Sequence, residues 1–173
     1  MRQKKIALFA CTNGYGHIKR LLLLSHALQS KGVQPTLFAP SISTKFLAQK
    51  EGISIPFVVD FDTNTAQDSW LSGQAIDWVK KAPNLSKFDA VISDNLLEIL
   101  KIRPDAWISG SFFWHASLKD FPYDLKQNSL DLLRKYKPKV ISSKIFTSDE
   151  LKKSTDLYEV GIYTNLNRNV TVD

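Results

Sequence analysis

The stretch from residue 6 to residue 40 restricts the fold more than any other part of the chain. Six apolar residues in a row, IALFAC at 6–11, empty into the turn TNGYG. The period then changes, and Ile18, Leu21, Leu22, Leu24, Ala27 and Leu28 recur at helical spacing up to Ser30, closed by Lys31-Gly32. An unbroken apolar run bounded by turn residues is what a strand covered on both faces requires, and such strands belong to parallel sheets. PTLFAP at 35–40 supplies a second strand, so the three pieces make a βαβ unit with a right-handed crossover.

The alternation continues. A helix is expected at 43–51 and a strand at 53–60 (ISIPFVVD), where Pro56 points to an edge or irregular position because it brings no backbone donor. Residues 61–73 read as a loop, 74–82 as a helix, 88–94 (FDAVISD) as a buried strand and 95–100 (NLLEIL) as a short helix. DAWISGS at 105–111 is a further strand, 124–136 a helix, and KVISSKIFTS at 139–148 holds one or two strands. There is no internal repeat. This order predicts an α/β fold, a single Rossmann-like doubly wound parallel sheet with helices on both faces.

Composition narrows the class of protein. A chain of 173 residues with 43% hydrophobic and 23% charged residues fits one domain with a real core. The net charge of +6 and pI near 9.4 favour anionic partners in general. The lysines are scattered and not interleaved with aromatics, which argues against nucleic acid. Cys11 is the single cysteine, so no internal disulfide or cysteine-based zinc cluster is available. The apolar run after the basic start is too short for a signal peptide, and no stretch approaches the roughly 20 apolar residues of a membrane span. The expectation is a cytoplasmic protein, with peripheral contact to a membrane as an option.

In open α/β sheets ligands bind beyond the carboxyl ends of the strands, where the first strand-to-helix turn lies. That places Asn13, Gly14, Tyr15, Gly16 and His17 at the functional edge. The glycines allow positive φ or close approach of a ligand, or they simply make a tight turn. The turn is neither G-x-G-x-x-G, since Lys19 stands at the third position, nor a P-loop. What remains is a histidine in the first turn of a helix, where the dipole favours a neutral ring that can accept a proton. Lys19 and Arg20 face either a phosphate at the cleft mouth or plain solvent.

TNGYGHIKRLLLLSHALQSKG resembles the N-terminal signature of GT-B fold glycosyltransferases and their relatives. These include the peptidoglycan N-acetylglucosaminyltransferase, the UDP-glycosyltransferases and the UDP-sugar hydrolase of the pseudaminic acid pathway. The resemblance implies that His17 is the general base on the acceptor hydroxyl, and that Asp94, at the end of VISDN, orients it as in a His–Asp dyad. A helix N-cap is the other role open to Asp94. Asn95, Ser111, Trp114 and His115 join the turn residues as candidate acceptor contacts, with Phe112, Phe113 and Trp114 either lining a cleft or packing a helix onto the sheet.

The resemblance also implies a missing half. DLYEVGIYTNLNRNVTVD is similar to the strand and turn that end the first GT-B domain, giving a domain over 1–160 and a linker or tail over 161–173. No cofactor is expected, and a nucleotide-sugar donor would be held mainly by a second domain or a partner subunit. The expected acceptor is a sugar or a lipid-linked molecule. Tyr15 is bulkier than the usual residue between the glycines. Two rivals stand beside the transferase: half of a UDP-sugar hydrolase using the same base, and a non-catalytic Rossmann-like binding module.

Overall fold

A computed structural model describes residues 2–63 and 74–161. Most of the predicted loop at 61–73 and nearly all of the predicted tail at 161–173 lie outside the described residues. The sheet has seven strands: β1 (Lys5–Phe9), β2 (Gln34–Ala39), β3 (Phe57–Asp60), β4 (Ala90–Asp94), β5 (Trp107–Ser109), β6 (Lys139–Ser143) and β7 (Asp156–Val160). Their order is β3-β2-β1-β4-β5-β6-β7, and every neighbouring pair is parallel. The order reverses direction at β1/β4, which is the topological switch point of a doubly wound sheet.

Successive residues of the central strands point to opposite faces, and each face has its own core. Leu8, Leu37 and Ile92 meet Ile18, Leu21, Leu22, Leu47 and Ala48 of α1 (Tyr15–Ser30) and α2 (Ser41–Glu51). On the other face Phe9, Phe38, Val91, Ile108 and Val140 pack against Leu97, Leu100, Leu132, Leu133 and Leu151. Those last side chains come from a 3₁₀ turn at Leu97–Lys101, from α4 (Tyr123–Tyr136) and from α5 (Asp149–Ser154), the short α3 (Trp114–Ser117) lying between the first two. The Phe9 and Phe38 rings stack with centroids 4.4 Å apart. Full burial of side chains this size stabilises by about 1.5–3 kcal/mol each, so β1, buried from Ala7 onward, anchors both layers.

Several local expectations change. The helix after β1 starts at Tyr15, not Ile18, because Gly14 with φ 107 turns the chain early. In place of the helix expected over 74–82, a 3₁₀ segment forms at Gln74–Lys81, and β3 is the short edge strand that follows Pro56. The helix expected from Asn95 begins at Leu97 instead, because Asn95 takes the left-handed conformation at φ 58. Of the one or two strands expected over 139–148, one forms, and it stops at Ser143, where Phe146 N–H turns back to the Ser143 carbonyl.

Candidate active site

The site forms because β1 and β4 are neighbours in register. Phe9 stands opposite Ser93, so the turn after β1 and Asp94 at the end of β4 open on one edge. His17, in the first turn of α1, reaches across: its Nδ1 lies 3.1 Å from Asp94 Oδ1, a contact between residues 77 positions apart. Asp94 is fully buried and also carries Arg20, whose Nε is 3.1 Å from Oδ2 as an ion pair. One carboxylate thus holds an imidazole on one oxygen and a guanidinium on the other.

This arrangement selects a tautomer. A carboxylate ion-paired to arginine accepts and does not donate, so the neutral imidazole places its proton on Nδ1 and donates it to Asp94. Arg20 Nη2 is 3.4 Å from the same nitrogen, a longer contact that cannot compete with the charge-assisted bond. The lone pair then sits on Nε2, which has no hydrogen-bond partner among the described residues and is not among the buried unpartnered atoms. A nitrogen in that state can take a proton from a hydroxyl. Asp94 does not serve as an N-cap, since the following 3₁₀ turn is entered at Leu96 with no side-chain cap.

The turn around the histidine is braced from the next rim loop. Thr12 N–H donates to Thr63 Oγ1 at 3.2 Å, and Thr12 Oγ1 donates to Asp62 Oδ1 at 2.8 Å. Asn13 is half-buried, and Tyr15 is exposed, with its ring 6.3 Å from that of Phe46. Gly16 has nothing among the described residues within 4 Å of where a Cβ would stand and lines a cavity of ≈ 230 Å³ between α1 and the ends of β5 and β6. Ser111 lines the same cavity, together with Lys19, Arg20 and Phe146.

The other predicted residues divide between the open rim and the interior. Trp114 is half-buried with its ring 5.6 Å from His17, flanking the imidazole, while Phe112 stands edge-on to Trp114 at 5.2 Å. Phe113 is buried in the core. His115 is turned inward, its Nε2 bonded to Glu150 Oε1 at 2.8 Å. Asn95 is buried too, with its backbone N–H on the Ser109 carbonyl at 2.8 Å and its amide atoms without a hydrogen-bond partner among the described residues. It presses on Gly110, where a Cβ would fall 1.8 Å from Asn95 Oδ1. The same small interior space holds Glu98, whose carboxyl is pushed up from the usual range by burial against the weaker pull of its own backbone amide and Lys101.

Sequence reading did not anticipate the pairing of Arg20 with Asp94, the Gly110 contact, or the Lys19 partner, Glu51 at 2.7 Å. Asn95 and Gly110 each end or follow a strand, which is the only signal the sequence offers for them. Among the described residues no helix is long and apolar enough to cross a membrane.

This chain has a glycosyltransferase-like α/β fold. Two solved structures of Arabidopsis thaliana UGT89C1 superpose on it with a TM-score of 0.59 each. The complex with UDP-L-rhamnose is 11% identical and matches 96% of this chain and 54% of its own. The complex with quercetin is 10% identical and matches 98% of this chain and 53% of its own. The chain therefore spans about half the length of these structures. No protein-family model and no curated protein matches the sequence.

Proposed function

We propose that the protein is the acceptor-binding half of a sugar-nucleotide-dependent glycosyltransferase in which His17 is the general base. The observation that carries this reading is the His17 Nδ1 to Asp94 Oδ1 contact of 3.1 Å at the rim of the sheet, which leaves Nε2 bare. The acceptor hydroxyl loses its proton to Nε2 as its oxygen attacks the anomeric carbon. The bond from that carbon to the diphosphate breaks, and the electron pair leaves on the nucleotide. Asp94 steadies the imidazolium that results, and Trp114 walls one side of it.

The likeness to structures holding UDP-L-rhamnose and quercetin supports a nucleoside diphosphate sugar as donor class and a hydroxyl-bearing acceptor. A second α/β unit, in the same polypeptide or in a partner, supplies the donor site. The test replaces His17 by Ala and Asp94 by Asn in the assembly holding both halves and assays transfer and hydrolysis together. Base catalysis predicts a loss of about 10²-fold or more for His17→Ala with folding intact. Loss confined to hydrolysis, with no transfer in either protein, makes this half of a sugar-nucleotide hydrolase. Undiminished turnover removes the base and leaves a binding module.

A further inference from the structure

The cavity beside the dyad contains two cations, and both are already committed. Lys19 Nζ sits 2.7 Å from Oε1 of Glu51, whose side chain is 3% exposed, and Arg20 is held by the fully buried Asp94. The two positive charges are matched by two buried negative ones. Lys19, 38% exposed, already has its charge balanced by Glu51, so an anionic group entering the cavity gains less from it than from an unpaired cation. What the walls offer freely is different. The Ser111 hydroxyl can hydrogen-bond a neutral polar group, the Ser142 and Ser143 hydroxyls being engaged by Thr147 Oγ1 and the Ile145 N–H, while Leu23, Ile141 and Phe146 form an apolar side, Phe146 being 67% exposed at the lip.

We propose that this cavity takes an uncharged, hydroxyl-bearing acceptor with an apolar segment, in preference to an anionic one, and that Glu51 sets the preference by neutralising Lys19. The proposal rests on the acceptor-binding reading above and names its substrate class. Glu51 does not line the cavity. It acts through Lys19, as a specificity residue and not a catalytic one.

Two probes with the same tail, hexyl β-D-glucoside and hexyl phosphate, are titrated into the protein and followed by the amide resonances of Gly16, Ser111 and Ser142. The glucoside is expected to bind at least about tenfold more tightly than the phosphate. In Glu51→Gln, Lys19 loses its counter-charge, and hexyl phosphate should gain about tenfold while the glucoside is unchanged. The double variant Glu51→Gln/Lys19→Met should return to the original ratio. The proposal is overturned if phosphate binds as well as glucoside in the unaltered protein, if neither binds, or if a folded Glu51→Gln leaves the ratio where it was. Should that variant not fold, the ratio in the unaltered protein still decides. Binding is read without turnover, so activity that survives His17→Ala would defeat the base while leaving this test intact.

Discussion

Replacing Arg20 by Met tests whether the buried carboxylate is held as described. Asp94 has no exposure to solvent, and Arg20 Nε approaches it to 3.1 Å. At an effective dielectric near 20 that separation corresponds to about 5 kcal/mol of gross attraction, which mainly offsets the desolvation of the carboxylate. Methionine keeps most of the side-chain volume but removes the attraction and leaves the desolvation in place. The expected loss of stability is about 3 kcal/mol, at the low end for a broken buried pair because Arg20 is 22% exposed. Urea unfolding at pH 7 measures it, and the same substitution in an Asp94→Asn background supplies the control. There the cost should fall below about 1 kcal/mol, since no buried charge is stranded. A cost under about 0.5 kcal/mol in the parent, or an equal cost in both backgrounds, refutes the reasoning.

Gly110→Ala forces a Cβ to within 1.8 Å of Asn95 Oδ1 and should lower stability by about 2–3 kcal/mol in thermal unfolding. An Asn95→Gly background, which keeps the backbone at φ 58 accessible, should recover most of it. Glu98→Gln should alter how stability depends on pH. The folded-state pKa of Glu98 is raised by burial, so between the ordinary value of 4.5 and the raised one the folded protein binds more protons than the unfolded, and stability falls as pH rises. The variant should match the parent near pH 4 and exceed it at pH 8, by at most about 1.4 kcal/mol per pH unit across the window; parallel profiles would contradict this. Gly16→Ala meets nothing among the described residues within 4 Å and should keep or slightly raise stability, by at most about 1 kcal/mol, while weakening hexyl glucoside in the same titration.

The βαβ opening was legible because its signals are local: an apolar run, a glycine turn and a helical period within 35 residues. The meeting of His17 with Asp94 was legible through the family resemblance, and topology accounts for it, because the first strand of the doubly wound sheet has the fourth beside it. The partners of Lys19 and Arg20 were not. Both side chains lie on α1 with no local acidic residue to pair with, and their carboxylates arrive from α2 and from β4. His115 and Asn95 illustrate the same limit from the other side. Polar residues next to a rim motif look like ligand contacts, yet the short loop after each strand turns both of them into the interior. The end of β6 was missed because SSKIFTS has the β-branched and aromatic content of a strand. The Ser142 and Thr147 hydroxyls, 2.8 Å apart, instead join the two sides of a turn.

Nitrogen-15 NMR of the uncharged His17 ring tests the central claim without substrate or partner. With Nδ1 bound to Asp94, the account predicts a protonated Nδ1 and a bare Nε2. Substituting Asp94 by Asn should release that preference. A proton found on Nε2, with Nδ1 bare, would contradict the account, because the nitrogen not held by Asp94 would then have nothing with which to accept.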